Sequence, residues 1–335
     1  MRRRFAAPAF FLLALAACAR PHPQAPPESA SPVAHRALVV VIDQLRADLV
    51  DRGDMPNLKR LRERGAYFPD AYVGHVAAKT VVSHGVLTRG VFPRRLGWED
   101  DAFRDVGGVL GPKNQVWISE LKLEQFQKVL PSDLPPSSVA AYLEHPKHVF
   151  IGEKDYAVAA MAGNEADIDI TFGKADPKTD GAEWKGWLKP VGLNVPAYIR
   201  GTPGSRFWVD GRKTYGTEAS SYSLGGDKFV PGDDPAHRGG DVWAADAALA
   251  VIEHEDFGIM FVTFGGVDKV SHMMGSDHDL DAPNPSPIKL AEQLHTADAQ
   301  LGRLLDALDA KGIAAETAVV VTADHGGMYA EHLHA

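Results

Sequence analysis

Three short apolar runs constrain the fold of this chain more than any other feature of its sequence. They comprise residues 37–42, 257–264 and 318–321, and valine, isoleucine and phenylalanine make up most of them. None of them alternates strictly between polar and apolar residues. Continuous β-branched runs of this length predict strands that are covered on both faces, which is typical of a parallel sheet.

Two helical patterns accompany these runs. Residues 242–253 are rich in alanine and precede the second run, and residues 288–308 place leucines near helical spacing before Lys311 and Gly312 close the pattern. Helices that alternate with short apolar strands predict an α/β fold. We therefore expect a mostly parallel central sheet with helices on both faces.

Side chains that can bind metal ions follow each of the three runs: Asp43, Asp268, and the pair Asp324 and His325. Ligands of open parallel sheets bind beyond the carboxyl ends of the strands, so these side chains are expected to converge on one site. A set of Asp and His without sulfur suits zinc. Asp268 and His272 are four residues apart, and a helix beginning there would put both on one face.

Each of these signals has a simpler explanation when it is taken alone. An aspartate after a strand is often a helix cap, and Asp-His-Gly can form a turn. A pair such as Asp268 and His272 can also lie on a solvated helix face. Only the joint order and placement of the residues favour a metal site.

A candidate nucleophile lies in the segment 77–90. Thr80 is predicted at the first turn of a helix, where unpaired backbone N–H groups stabilise an alkoxide and attract phosphate. Coordination to a metal ion would lower the pKa of its hydroxyl further. The alternative is that Thr80 only caps the helix.

The charge of the chain limits its partners. With 35 Lys and Arg against 44 Asp and Glu, the net charge is −9. This balance argues against binding to a nucleic acid duplex through its phosphates. Positive charge for a small anionic substrate must then be local, and bound metal ions are one source of it.

The N-terminal residues resemble an export signal. Arg2, Arg3 and Arg4 precede the apolar run 5–17, which is shorter than the about 20 residues of a membrane span. Residues 15–18 resemble a bacterial lipobox ending at the only cysteine, Cys18. We expect a lipoprotein signal peptide at 1–18, a proline-rich tether at 19–36, and a cell-envelope protein that faces the periplasm and contacts the membrane only through the lipid on Cys18. An ordinary signal peptide is the alternative.

The remaining chain, 37–335, is predicted to be one catalytic domain. Its residues at about 96–240 are repeatedly interrupted by Gly, Pro and Asp, and they predict a small inserted cap region. Aromatic residues cluster in the second half of that region. They could bind the leaving group of a substrate, or they could form the core of the cap itself.

The chemistry-bearing residues together resemble those of a known superfamily. Their order along the chain is similar to that of the alkaline phosphatase superfamily, and closest to its type I phosphodiesterase and nucleotide pyrophosphatase branch: Asp43, Thr80 with His84, Asp268 with His272, and Asp324-His325-Gly326. Residues 55–61 resemble the first helix of that family, and residues 88–93 resemble the turn after its nucleophile. The similarity spans about 37–332.

The resemblance implies a two-metal phosphoric ester hydrolase that works through a phospho-threonine intermediate on Thr80. It implies two divalent ions, with zinc as the expected metal. One ion would be held by Asp43, Thr80, Asp324 and His325. The other would be held by Asp268, His272 and His332, with His334 as the alternative last ligand.

Two positions depart from the pattern of the superfamily. Residues 153–157 resemble a Lys-x-Arg stretch that contacts phosphate in the threonine-dependent monoesterases, but Tyr156 stands in the place of the arginine. Ser83 stands where the phosphodiesterase branch often has an asparagine. Lys154 is expected to contact phosphate, a surface lysine being the alternative, and loss of the guanidinium favours diesters over dianionic monoesters.

The expected function is therefore that of a phosphodiesterase or nucleotide pyrophosphatase acting on a small phosphate ester. A phosphomonoesterase of the same fold is the first alternative. The chain ends three residues after His332, so a truncated, non-catalytic envelope lipoprotein is the second. Sulfatase activity is not expected, because it needs a cysteine or serine in a different motif.

Overall fold

The computed structural model describes most of the chain after the N-terminal segment. The described residues are 34–97, 99–100, 102–111, 115–117, 121, 123–129, 147–163, 166–174, 188–200, 235–268, 271 and 286–327. Their strands are β1 (Arg36–Ile42), β2 (Ala102–Phe103), β3 (Val116–Trp117), β4 (Lys147–Gly152), β5 (Ile168–Lys174), β6 (Leu188–Val191), β7 (Phe257–Phe264) and β8 (Thr317–Thr322). Their helices are α1 (Ala47–Arg52), α2 (Pro56–Arg64), α3 (Thr80–Arg89), α4 (Pro93–Leu96), α5 (Leu123–Val129), α6 (Asp155–Ala162), α7 (Ala197–Arg200), α8 (Pro235–His254) and α9 (Ser286–Lys311).

Six of these strands form one sheet in the order β6-β5-β4-β7-β1-β8. The pairs β1–β7, β1–β8, β4–β7 and β4–β5 are parallel, and β5–β6 is antiparallel. The three runs predicted as strands are β7, β1 and β8, and they lie side by side. Val40 pairs with Val262 on one side and Val321 on the other. The predicted mostly parallel sheet is confirmed.

Helices cover both faces of the sheet. On one face, β1 residues such as Leu38 and Val40 pack in one buried cluster with Ala244 of α8 and Leu301 of α9. On the other face, Ala37 of β1 packs in a cluster with Val158 and Met161 of α6 and with the stacked pair Phe150 and Phe261. Burying both faces of the central strands explains why their sequences lack polar alternation.

The predicted cap at about 96–240 is wrong for part of its length. Residues 147–174 supply β4 and β5, and β4 pairs directly with β7 in the middle of the sheet. The error arose because Lys147–Gly152 is a short run inside a stretch rich in Gly, Pro and Asp. Its membership in the sheet depends on pairing with β7, more than a hundred residues later in the chain.

Several predictions fall on residues that the structure does not describe. The signal peptide, Cys18 and most of the tether lie outside the described residues. So do six of the aromatic residues that cluster in the second half of the predicted cap, namely Trp184, Trp187, Phe207, Trp208, Tyr215 and Tyr222. Tyr198, from the same cluster, lies in α7 and donates a hydrogen bond to Glu255 at 3.0 Å. Among the described helices, none is long and apolar enough to cross a membrane.

Candidate active site

The candidate site lies at the carboxyl ends of four neighbouring strands. Asp43 follows β1, Lys154 follows β4, Asp268 follows β7 and Asp324 follows β8. All four side chains are buried. Parallel strands bring their carboxyl ends to the same edge of a sheet, so residues separated by as many as 281 positions in the sequence meet here.

A left-handed residue shapes the turn after β1. Gln44 has a φ of 66°, which is uncommon for a residue other than glycine and often marks a functional site. In this conformation the backbone N–H of Gln44 donates to Asp324 Oδ1 at 3.0 Å. The backbone N–H of Asp43 donates to the Phe264 carbonyl at 2.9 Å. The turn is thereby tied to both neighbouring strands.

Thr80 is the first residue of helix α3, as predicted, and the extended backbone of Lys79 precedes it. Its Oγ1 lies 3.2 Å from His325 Nε2 and 3.5 Å from both carboxylate oxygens of Asp43. Lys154 Nζ approaches the same hydroxyl to 3.5 Å. The hydroxyl therefore points into the cluster of predicted ligands rather than only capping its own helix.

His84, one turn further along α3, is fully buried and holds that helix against the site. Its Nδ1 donates to the Thr80 carbonyl at 2.7 Å and lies 3.3 Å from Asp324 Oδ2. Its Nε2 lies 3.1 Å from Thr263 Oγ1 of β7. Burial acts to lower the pKa of His84, but the carboxylates of Asp324 and Asp43 and the hydrogen bond to the Thr80 carbonyl together outweigh burial and raise that pKa.

Lys154 bridges two of the predicted metal ligands. Its Nζ lies 2.6 Å from Asp43 Oδ2 and 2.5 Å from Asp268 Oδ2, and the residue is only 5% exposed. The alternative of a surface lysine is therefore wrong. Burial disfavours the ammonium, but the carboxylates of Asp268 and Asp43 outweigh it and raise the pKa of Lys154 well above its ordinary value.

The pKa values of Asp43 and Asp324 are shifted in opposite directions. Burial and the neighbouring Asp324 raise the pKa of Asp43, because they disfavour a second charged carboxylate in the same place. Burial also acts to raise the pKa of Asp324, but His84 and His325 outweigh it and lower that pKa. With Asp268, three carboxylates share the site with the Lys154 ammonium and the imidazoles of His84 and His325.

His325 presents one ring nitrogen to this cluster. Its Nδ1 donates to the Gly326 carbonyl at 3.1 Å, which leaves Nε2 directed at Thr80 and Asp43. Such a second bond at the far nitrogen is the usual way in which proteins orient a metal-binding imidazole. Burial lowers the pKa of His325, but Asp324 and Asp43 outweigh burial and raise it.

The described residues fit a divalent metal ion. Ligand atoms of Asp43, Asp268 and His325 all lie within 4.8 Å of one another, and the three residues are buried. Within the described ranges, Asp324 Oδ2 is a buried oxygen without a hydrogen-bond partner, although the ring of His84 lies near it. Mixed carboxylate and imidazole donors suit zinc. His272, His332 and His334 lie outside the described residues, so the second ligand set remains a prediction.

A groove of about 760 Å³ opens beside the site. Asp324, His325 and Ser83 are among the residues that line it, and most of its other lining side chains are apolar, including Tyr67 and Phe68. Ser83 is buried, and its Oγ lies 3.4 Å from His75 Nε2. The groove is large enough for a small-molecule leaving group.

The sequence interpretation missed a set of buried polar residues behind the site. Asp241 and Gln293 contact the glycine turn that precedes Asp268, and Glu153 packs against the same turn. An acidic residue such as Asp241 among the alanines and valines of α8 is a signal that could have drawn attention to it. The identity of its partners could not have been predicted from the sequence.

Comparison with known proteins identifies similar structures and a matching family. The wild-type alkaline phosphatase PafA has a similar structure, with a TM-score of 0.56 and 14% identity over 90% of this chain and 64% of that chain. A PafA variant with four substitutions gives a TM-score of 0.53 and 15% identity over the same shares. A phosphonoacetate hydrolase from Sinorhizobium meliloti, solved with phosphonoformate, has a TM-score of 0.47 and 18% identity over 88% of this chain and 57% of that chain.

The similarity to PafA shows the alkaline-phosphatase-like fold, and this chain spans less than two thirds of the length of PafA. No curated protein matches the sequence. The family model described as type I phosphodiesterase / nucleotide pyrophosphatase matches residues 37–333. That match covers most of the sequence and all of the site described above, and the chain therefore belongs to the type I phosphodiesterase / nucleotide pyrophosphatase family.

Proposed function

We propose that this protein is a metal-dependent hydrolase of small phosphodiesters or nucleotide pyrophosphates, with Thr80 as its nucleophile. The observation that carries the proposal is the position of the Thr80 hydroxyl. It stands at the start of a helix, within 3.5 Å of Asp43, His325 and Lys154. Membership of the family supports the reaction class.

The proposal assigns two divalent ions, zinc by preference, to the predicted ligands. Asp43, Thr80, Asp324 and His325 hold one ion. Asp268, His272 and His332, with His334 as the alternative, hold the other. When bound, such ions lower the pKa of the nucleophile and offset the charge that develops on the phosphoryl and leaving-group oxygens.

The side chains of the protein then have separate tasks. Thr80 Oγ1 forms a bond to phosphorus while the bond from phosphorus to the leaving-group oxygen breaks, and the proton of the hydroxyl passes through solvent to that leaving-group oxygen. The N-terminus of α3 favours the negative charge on Oγ1. Lys154 donates to a non-bridging phosphate oxygen. Water then attacks the phospho-threonine, which releases phosphate or its ester and restores the hydroxyl.

The preference for diesters rests on the cations near Thr80. Lys154 supplies one ammonium, and Tyr156 takes the place of an arginine whose bidentate guanidinium suits a dianion. A diester carries a single negative charge on its phosphate and needs less compensation. The groove beside Ser83 and His325 offers an apolar surface for the leaving group.

Two substrates test this proposal. Purified protein should hydrolyse bis-p-nitrophenyl phosphate with a higher kcat/KM than p-nitrophenyl phosphate, and Thr80→Ala should remove both activities. A large preference for the monoester would instead indicate the phosphomonoesterase alternative. Fewer than two bound ions per chain, with no turnover of either substrate, would indicate the non-catalytic envelope lipoprotein.

We also propose that the protein is exported and held in the cell envelope by a lipid on Cys18, facing the periplasm. The arginines at 2–4, the apolar run 5–17 and the lipobox-like residues before Cys18 support this. Expression in a bacterial host with labelled palmitate should label the wild type and leave Cys18→Ala unlabelled. Equal labelling of the two chains would contradict the proposal.

A further inference from the structure

The turn that carries Asp268 is enclosed by buried polar side chains that take no direct part in the proposed chemistry. Gly265 and Gly266 follow β7, and Gly266, Val267 and Asp268 have helical backbone. Asp241 of α8 and Gln293 of α9 contact this turn, and both are buried. The two helices therefore reach the active site from the far side of the turn.

Asp241 is the centre of this contact. Its Oδ1 accepts the backbone N–H of Gly266 at 3.0 Å, and its Oδ2 accepts Gln293 Nε2 at 2.6 Å. Gln293 must present its NH₂ group to Asp241, because the amide oxygen of Gln293 would repel the carboxylate oxygen. One oxygen of Asp241 is thus bound by Gln293 of α9, while its other oxygen binds the backbone of the helical turn that contains Asp268.

The glycines show how little freedom the turn has. A Cβ on Gly266 would lie 2.0 Å from Gln293 Nε2 and 2.7 Å from Asp241 Oδ2. A Cβ on Gly265 would lie 2.2 Å from Glu153 Oε1. Polar side chains therefore occupy the space that the Cβ of any residue other than glycine would need. They set the position of the turn within the fold.

Packing alone does not account for this arrangement. A buried carboxylate costs free energy of solvation, and an apolar residue of similar volume often serves a core equally well. The helices α8 and α9 also have an independent polar contact, 2.7 Å between Arg303 Nη2 and Asp246 Oδ1 near the surface. What Asp241 adds is a bond to the Gly266 N–H, two residues before a predicted metal ligand.

We infer that Asp241, oriented by Gln293, is a positioning residue that aims Asp268 at the metal site and at Lys154. The inference rests on the proposed function for the ion that Asp268 binds. Asp241 itself touches neither substrate nor metal. Partners that orient ligands in this way typically change metal affinity or activity by about 10- to 100-fold when they are lost.

Gln293→Glu tests the inference, because it places a second carboxylate against Asp241 Oδ2 and keeps the size of the side chain. We expect one of the two zinc dissociation constants to rise by about 10- to 100-fold, with a matching fall in kcat. The double variant Asp241→Asn/Gln293→Glu should recover zinc binding to within about threefold. In the double variant, the amide at position 241 can accept a hydrogen bond from the Gly266 N–H and donate one to the carboxylate at position 293.

Asp298→Asn is the matched control on the same helix. Asp298 is equally buried and accepts backbone N–H groups of Asn57 and Leu58, at the start of α2 and away from the site. The Asp298→Asn substitution should lower the melting temperature and leave both zinc dissociation constants unchanged. Zinc titration by calorimetry and thermal melting separate the two effects.

The outcomes decide both proposals separately. If Gln293→Glu only lowers the melting temperature, as the control does, or if the double variant is not rescued, the positioning role is overturned. If the wild type binds zinc but hydrolyses no phosphate ester, the proposed function fails while the zinc constants still decide the role of Asp241. A wild type that binds no divalent ion overturns both.

Discussion

Lys154→Met should destabilise the protein strongly when no metal ion is available. The ammonium contacts Asp43 and Asp268 at 2.6 and 2.5 Å, and all three side chains are at most 5% exposed. Removing one partner of such a buried pair leaves uncompensated buried charge, at a cost of about 3 to 5 kcal/mol. For a chain of this size the melting temperature should fall by about 10 °C.

Chemical unfolding in the presence of EDTA measures this loss. Lys79→Met is the control, because Lys79 pairs with Asp100 and both side chains are about half exposed. An exposed pair of this kind contributes about 1 kcal/mol or less. Added zinc should restore part of the stability of Lys154→Met, since an ion can balance the same carboxylates.

The pH dependence has a definite sign. The folded-state pKa of Lys154 is raised, so its contribution is fully present below the pKa of the unfolded chain, about 10.4, and is lost as the pH rises through the folded-state pKa. The difference between wild type and Lys154→Met should therefore persist from neutral pH to about pH 10. Equal unfolding free energies in EDTA at pH 8 would refute the view that Lys154 neutralises these carboxylates.

Three further results are expected. Thr80→Ala should abolish turnover and leave the zinc content nearly unchanged, whereas a substantial residual rate would indicate direct attack by water. Dialysis against EDTA should remove activity, and added zinc should restore it. Elemental analysis of the active protein should find two ions per chain. Full activity after complete metal removal would contradict the metal requirement. Gln44→Gly should raise the melting temperature by a few degrees. Glycine adopts a φ of 66° without the strain of about 1 kcal/mol or more that another residue carries. A lower melting temperature would mean that the Gln44 side chain stabilises the fold by more than this strain.

The sequence was sufficient for the central strands and for the place of the site. The runs that become β1 and β7 are largely apolar because both faces of a central parallel strand are covered, and this signal is local. The run that becomes β8 was expected to be covered on both faces as well, but β8 is the end strand of the described sheet and its Val320 is 47% exposed. The topology of parallel sheets then brings Asp43, Asp268 and Asp324 to one edge. The start of α3 at Thr80 was also predictable, since it depends on neighbouring residues alone.

Other features depended on contacts between distant parts of the chain. The run Lys147–Gly152 becomes a central strand only because it pairs with β7. Lys154 is buried because carboxylates 111 and 114 positions away surround its ammonium, and a lysine after a strand is more often solvated. Asp241 meets Gly266 and Gln293 only when α8 and α9 pack against the turn after β7.

The residue types and local patterns of this chain thus determined three neighbouring strands of its sheet, its family and the chemistry that its side chains can perform. Tertiary structure alone decided which charges are buried together, because burial and pairing are properties of the packed chain and not of a sequence window. The proton affinities of Asp43, Lys154 and Asp324 follow from that packing, and so does the direction in which Asp268 points.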